Sequence, residues 1–297
     1  MKKYTNPVIP HEKTGRVADP YVIRYKGCYY HCYCQDDGVY ISKSENLCDI
    51  GKAERVRVYE AKDGLSAWYA PELHFLDGSW YIYVSPLVDG NDLHSMVVLE
   101  NKSSDPMGQY KSLGVMKGLE GVWSIDGTVL EHEGKRYFIW TKCTEMFMTE
   151  MDTPWSLKGE HIPFCKPEYP YECKTPDCLV NEGPAVLKKN GKIHVVFSAN
   201  DSKTDEYCLG VMTYSGGEIT DMNNWQKSKT AYFEKTEDIF GPGHCSFTTV
   251  SEGTEEIDYI VYHANEESGS GWNGRSVWIQ PFSWDDRDFP VFGKPER

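Results

Sequence analysis

The sequence predicts an all-β fold, a five-bladed β-propeller with about four antiparallel strands per blade. A short pattern opened by an acidic residue recurs about every 55 residues along the 297-residue chain, the period of a propeller blade with generous loops. Apolar alternation flanks Asp-Gly, Glu-Gly and Asn-Gly pairs, the strongest hairpin signal a sequence offers. Helical periodicity is nearly absent, and 20 tyrosines with nine tryptophans favour strands.

Five segments align. The first runs from Asp19 through Tyr25-Lys26-Gly27-Cys28 to the polar turn Asp36-Asp37-Gly38. The second begins at Ala70-Pro71-Glu72-Leu73-His74 and turns at Asp77-Gly78 before Trp80-Tyr81-Ile82-Tyr83. Asp126-Gly127-Thr128 opens the third, which turns at Glu133-Gly134, and Glu182-Gly183-Pro184 opens the fourth, which turns at Asn190-Gly191. Gly241-Pro242-Gly243-His244 opens the fifth, continued by Asp258-Tyr259-Ile260-Val261-Tyr262. No linker or composition break divides these segments, so residues 1–297 read as one propeller domain.

Composition narrows the partners. A net charge of −14 repels nucleic acid and anionic membrane surfaces, so neither is expected as a partner. A neutral ligand is compatible. No apolar run approaches the roughly 18 residues of a membrane span. Lys2 and Lys3 resemble the start of a leader, but no apolar stretch follows before Pro7 and Pro10, which predicts a cytoplasmic protein. Cys28, Cys32 and Cys34 share one face of a strand. Zinc ligation by them is conceivable, yet C-x-x-C pairs are missing, and buried free thiols are the simpler reading, consistent with reducing conditions.

Propeller geometry gives the repeat a chemical meaning. The innermost strand of each blade lines the central channel, so Asp19, Asp126 and Glu182, at matching places, should face one pocket. Glu72 and His244 stand near the same phase in the second and fifth blades. Any one of 45 acidic residues is ordinarily a solvated surface group. Three that follow apolar residues at matching phase are harder to dismiss, because clustered buried carboxylates raise one another's pKa and suit acid–base work.

The ordered set Ala18-Asp19-Pro20, Ala70-Pro71-Glu72, Ser124-Ile125-Asp126-Gly127, Asn181-Glu182-Gly183-Pro184 and Gly241-Pro242-Gly243-His244 resembles glycoside hydrolase family 43. The closing run Val277-Trp278-Ile279-Gln280-Pro281 is similar to that family's last segment. The resemblance spans essentially the whole chain and implies an inverting glycosidase that needs no cofactor for its chemistry. It implies Asp19 as general base, Glu182 as general acid, and Asp126 as the carboxylate that orients the acid and keeps its pKa high. It further implies that His244 ligates a calcium ion on the propeller axis, against the alternative of a hydrogen-bonded structural histidine. Arg275 matches an arginine used on sugar hydroxyls, against a surface arginine on a Gly-rich loop. Where the family usually has Trp directly before Ala-Pro, this chain has Tyr69 preceded by Trp68. Either ring could stack on a sugar, as could Glu72 bind one, or both rings could fill a blade interface. Trp123 and Trp272 are further aromatic candidates, read as packing residues first.

Within the family, Val261-Tyr262-His263-Ala264-Asn265 and Ile279-Gln280-Pro281 look like the arabinofuranosidase branches. The expected activity is therefore release of terminal α-L-arabinofuranosyl residues from short plant oligosaccharides, with β-D-xylosidase as the alternative. A non-catalytic carbohydrate-binding propeller would keep the aromatic residues but has no need of three carboxylates. A retaining enzyme of the invertase type would need an Asn-Asp-Pro-Asn motif, and Val17-Ala18-Asp19-Pro20-Tyr21 differs from it.

Overall fold

The computed structural model describes residues 4–11, 18–62, 64–88 and 93–297. The chain folds into five antiparallel sheets, each wound outward in chain order. The first blade is β1 (Tyr21–Tyr25), β2 (Cys28–Gln35), β3 (Gly38–Ser44) and β4 (Arg55–Glu60). The second is β5 (Ser66–Leu76), β6 (Ser79–Leu87), β7 (Val97–Asn101) and β8 (Lys111–Val115). The third comprises β9 (Ile125–His132), β10 (Lys135–Lys142), β11 (Glu145–Thr153) and β12 (Ser156–Cys165). The fourth has β13 (Asn181–Lys189), β14 (Lys192–Ala199), β15 (Cys208–Tyr214) and β16 (Trp225–Lys227). The fifth has β17 (Phe240–Glu252), β18 (Glu255–Asn265) and β19 (Ser276–Pro281), beside a short ribbon of β20 (Ser283–Trp284) and β21 (Pro290–Val291). Among the described residues, no helix is long and apolar enough to cross a membrane.

The sequence signals account for these elements. The inner hairpins turn at Lys26-Gly27, Asp77-Gly78, Glu133-Gly134 and Asn190-Gly191, each with positive φ at both residues. That is the turn whose twist matches antiparallel strands, and it explains the Asn/Asp-Gly bias. Second strands are covered on both faces by neighbouring blades, hence the near-continuous apolar burial of β6 and β10. Outer strands face water; β8, Lys-Ser-Leu-Gly-Val, is almost wholly exposed.

Five apolar cores hold the ring, one between each pair of adjacent blades. Trp80, Ile82 and Ile41 fill the first interface, and Tyr83, Phe138 and Trp140 the second. Ile139, Val195 and Phe197 fill the third, Val196, Ile260 and Tyr262 the fourth, and Val22, Val261 and Ile279 the last. The innermost strands β1, β5, β9, β13 and β17 each touch the next around the axis, and β17 returns to β1. Cys32 and Cys34 pack into the first core with Cys28 against its edge, so these thiols fill space.

Closure depends on the N-terminal segment. Ile9 pairs antiparallel with Val277 of β19, supplying the fifth blade with an outer edge from the start of the chain. The buried Asn6 side chain clamps this edge. Its Nδ2 donates to the carbonyls of Ile279 (2.8 Å) and Glu296 (2.7 Å), while its Oδ1 accepts from Ile279 N–H (3.0 Å). Replacing Asn6 with Ala strands three backbone groups. We expect a loss of about 1–3 kcal/mol, read as a lowered unfolding midpoint in calorimetry, and an unchanged midpoint would contradict the clamp.

Candidate active site

The mouth of the channel is built from strained backbone. Asp19, Ala70, Asp126 and His244 take positive φ of 50, 40, 55 and 43°, and Gly183 takes 58°. These five residues are the true equivalents, one at the head of each inner strand. Register irregularities accompany them in β5, β9, β13 and β17. Left-handed backbone in non-glycine residues costs about 1–3 kcal/mol each and collects at functional sites. In the fourth blade glycine holds the strained place, because a Cβ on Gly183 would sit 3.1 Å from His244 Nδ1. The repeat phase therefore differs from the expected one: Glu182 precedes the strained position by one residue, and Glu72 follows it by two.

Asp19, Asp126, Glu182, His244 and Arg275 nonetheless meet in one cavity of about 420 Å³. Asp19 sits among cations and imidazoles. Its Oδ1 lies 3.3 Å from His244 Nδ1, 3.3 Å from His263 Nδ1 and 3.4 Å from Arg275 Nη1, and its backbone N–H donates to His263 Nδ1 at 3.2 Å. Burial alone would raise the Asp19 pKa, but His244, then Arg275 and His263, outweigh it and hold the carboxyl well below the usual range.

The other two carboxyls move the opposite way. Glu182 is raised well above an ordinary glutamate, first by burial and then by the neighbouring Asp126. The Tyr207 hydroxyl donates to its Oε1 at 2.8 Å, which partly offsets the rise. Asp126 is raised less, by burial and by Asp19, against the pull of His244 and a hydrogen bond from Gly183 N–H to its Oδ2 at 3.0 Å. Burial works against a charged His244, yet Asp19, Asp126, Glu182 and Glu72 together lift its pKa. His263 is pushed down by burial to about 4 and stays neutral.

Of the expected aromatic residues, Tyr69 lines the cavity, its ring stacked on His94 with centroids 3.8 Å apart, and Trp123 lies edge-on to His94. Trp68 does not reach the cavity. It is buried in the first blade interface, edge-on to Tyr59, because the left-handed residues Ala67 and Ala70 interrupt the strand alternation around it. Glu72 also lies off the cavity wall, buried with its Oε2 2.8 Å from His74 Nε2. Trp272, read first as packing, is 42% exposed on the cavity rim. Arg275 lines the wall, and its Nε–H is buried with no hydrogen-bond partner among the described residues.

Sequence reasoning missed three residues. His263 and Tyr207 come from β18 and from the turn before β15, and His94 comes from the connection before β7. None has a repeated counterpart in other blades. His263 lay within the Val261–Asn265 run, and its inward parity with Val261 was the available signal.

Comparison with known proteins agrees with this geometry. Residues 4–290 match the family described as glycosyl hydrolases family 43. The chain belongs to glycoside hydrolase family 43. It is accordingly a glycosidase that hydrolyses glycosidic bonds. It is 34% identical to an extracellular exo-α-(1→5)-L-arabinofuranosidase of Streptomyces chartreusis, over 89% of this chain and 83% of that protein. A protein of the same name from Streptomyces avermitilis is 30% identical over 98% of this chain and 63% of its own length. The crystal structure of an α-L-arabinofuranosidase from Lactobacillus brevis superimposes with a TM-score of 0.88 at 31% identity, covering 99% of this chain and 97% of that one.

The cytoplasmic location expected from the N-terminal residues is overturned by these relatives, two of which are named extracellular enzymes. Buried thiols carry no information on this point, since burial alone shields Cys32, Cys165, Cys208 and Cys245 from oxidation.

The Tyr207 contact can be probed directly. A hydrogen bond to a carboxylate favours the ionised form, so removing the donor in Tyr207→Phe should raise the Glu182 pKa further while keeping the ring. The carboxylic carbonyl stretch of Glu182, followed by infrared difference spectroscopy across pH, should persist to higher pH; a shift to lower pH would contradict the assignment.

Proposed function

We propose that residues 1–297 act as one catalytic domain, an inverting α-L-arabinofuranosidase that releases terminal arabinofuranosyl residues from oligosaccharides. The observation that carries this reading is the placement of Asp19 against His244, His263 and Arg275, and of Glu182 beside Asp126 and Tyr207, within a single cavity, which draws the first carboxyl's pKa down and pushes the second's up. An ionised carboxylate beside a protonated carboxylic acid is the pair that inversion requires. Two of the arabinofuranosidases named above support the substrate, since each is at least 30% identical across nearly the full chain.

In this reading a water gives a proton to Asp19 as its oxygen attacks the anomeric carbon. Glu182 passes its proton to the glycosidic oxygen, and the bond from that oxygen to the anomeric carbon breaks as the new one forms. The product carries the inverted anomeric configuration. Asp126 keeps Glu182 protonated until the leaving oxygen gains charge, and Gly183 N–H fixes Asp126 in place. The unpaired Arg275 Nε–H is a donor for a sugar hydroxyl, and Tyr69 is a stacking face backed by His94. Oxygen-rich shells suit calcium. Among the described residues no three His, Cys, Asp or Glu side chains converge on a metal position, and His244 Nδ1 faces Asp19. No step is routed through such an ion.

Three measurements test the reading. Glu182→Gln should lower kcat/KM on arabinofuranosides by about 10²–10⁴-fold, with a smaller loss for good leaving groups; unchanged turnover would remove Glu182 from the mechanism. Proton NMR of the first-formed sugar should show the inverted anomer, and net retention would refute the pairing. The kcat/KM profile should be bell-shaped. Asp19 must be ionised and its pKa is depressed, so the acid limb lies low; Glu182 must be protonated and its pKa is raised, so the alkaline limb lies above the ordinary glutamate range. Asp126→Asn removes the charge that raises Glu182 and should move the alkaline limb to lower pH.

A further inference from the structure

The loop between β14 and β15 carries two separate attachments. At its end, Tyr207 holds the Glu182 carboxyl. At its start, Ser202 accepts a hydrogen bond from the Trp272 indole N–H at 2.9 Å. Trp272 lies in the fifth blade, in the connection between β18 and β19. The Lys203 ammonium lies 4.5 Å from its ring centroid, and the Arg275 guanidinium 5.7 Å. Asp205 ties the two connections together: its carboxylate accepts from Gly269 N–H at 2.9 Å and from the Ser268 hydroxyl, and its backbone carbonyl accepts from Gly241 N–H at 3.1 Å.

An aromatic residue 42% exposed gains little by folding from such attachment. The bonds fix its orientation instead, and the ring faces the cavity. Position decides what it meets. In the mechanism proposed above the scissile oxygen lies at Glu182, on the fourth blade, and Ser202 and Lys203 of that blade form a rim of the same cavity with Trp272. In the same mechanism the sugar being cleaved lies between Asp19, Arg275 and Tyr69, with Arg275 adjoining the Trp272 ring.

We propose that Trp272 is the platform for the leaving-group sugar, a specificity-determining residue that favours a carbohydrate aglycone over a small one. A preorganised ring presents a flat apolar face to the C–H face of that sugar, while Lys203 beside it donates to hydroxyls. This inference rests on the arabinofuranosidase reading above.

The test compares α-(1→5)-linked arabinobiose with methyl α-L-arabinofuranoside, whose methyl aglycone is too small to stack. In Trp272→Ala, kcat/KM for the disaccharide should fall about tenfold, while that for the methyl glycoside stays within about twofold. Trp272→Phe should recover most of the loss. Equal losses on both substrates, or no loss on either, would overturn the platform. Thermal unfolding of both variants checks that the rim has not collapsed. Wild-type protein that cleaves neither substrate would instead refute the arabinofuranosidase reading, and the inference with it.

Discussion

His244 stands at the meeting point of four carboxyl groups. Asp19, Asp126, Glu182 and Glu72 all act on its buried imidazole. Burial and mutual repulsion push these carboxyls toward the neutral acid, and a positive charge on His244 opposes that push. One central cation cannot by itself make Asp19 and Glu182 differ, because it draws on both. The difference comes from what lies on either side. Asp19 has Arg275 and His263 at contact distance in addition to His244, whereas Glu182 has a neutral phenol and an anionic neighbour. Arg275 beside Asp19 and Asp126 beside Glu182, and not the number of carboxylates, set the two carboxyls apart.

The backbone that supports this arrangement is strained in a regular way. A flat, evenly paired inner strand would alternate its side chains between the two flanking blades and leave none aimed along the axis. A left-handed residue at the head of each strand breaks that alternation and turns one side chain into the mouth. The same device serves Asp19, Asp126 and His244, and Gly183 shows its cost, since there the space a side chain would need is taken by the His244 ring. Packed cores on both sides of every blade keep such residues from relaxing.

The blades were legible because their hairpin turns carry local chemistry: Asp77-Gly78, Glu133-Gly134 and Asn190-Gly191 need positive φ and announce it by composition. The meeting of Asp19, Asp126 and Glu182 was legible for a similar reason, as a repeat at blade spacing. Fine phase was not. A bulge shifts pairing without altering residue type, so Glu182 and Glu72 were read as level with Asp19 when they lie one residue before and two beyond the strained position. Trp68 and Tyr69 could not be told apart for the same reason. Tyr207 carried no signal as a site residue because its role depends on a contact with Glu182, 25 residues away, and His263 carried only its strand parity, since its role depends on contacts with Asp19, 244 residues away.

Those two contacts show how ring closure enters the chemistry. Glu182, the proposed acid, is tuned by Asp126 of the third blade and by Tyr207 on the loop that leaves β14. Asp19, the proposed base, is tuned across a seam, since it belongs to the first blade while His244, His263 and Arg275 belong to the fifth. The first and fifth blades are joined late, by contacts spanning nearly the whole chain: Ser246 Oγ donates to the Pro20 carbonyl and accepts from Val22 N–H, and Ile9 pairs with Val277 two residues after Arg275. Loosening that seam would withdraw His244 and Arg275 from Asp19 and let its pKa rise toward that of a buried acid, and Glu182, on which His244 and Asp19 also act, would respond in turn. The depressed pKa of Asp19 therefore depends on the seam between the first and fifth blades, and the raised pKa of Glu182 on burial and on Asp126 of the third blade.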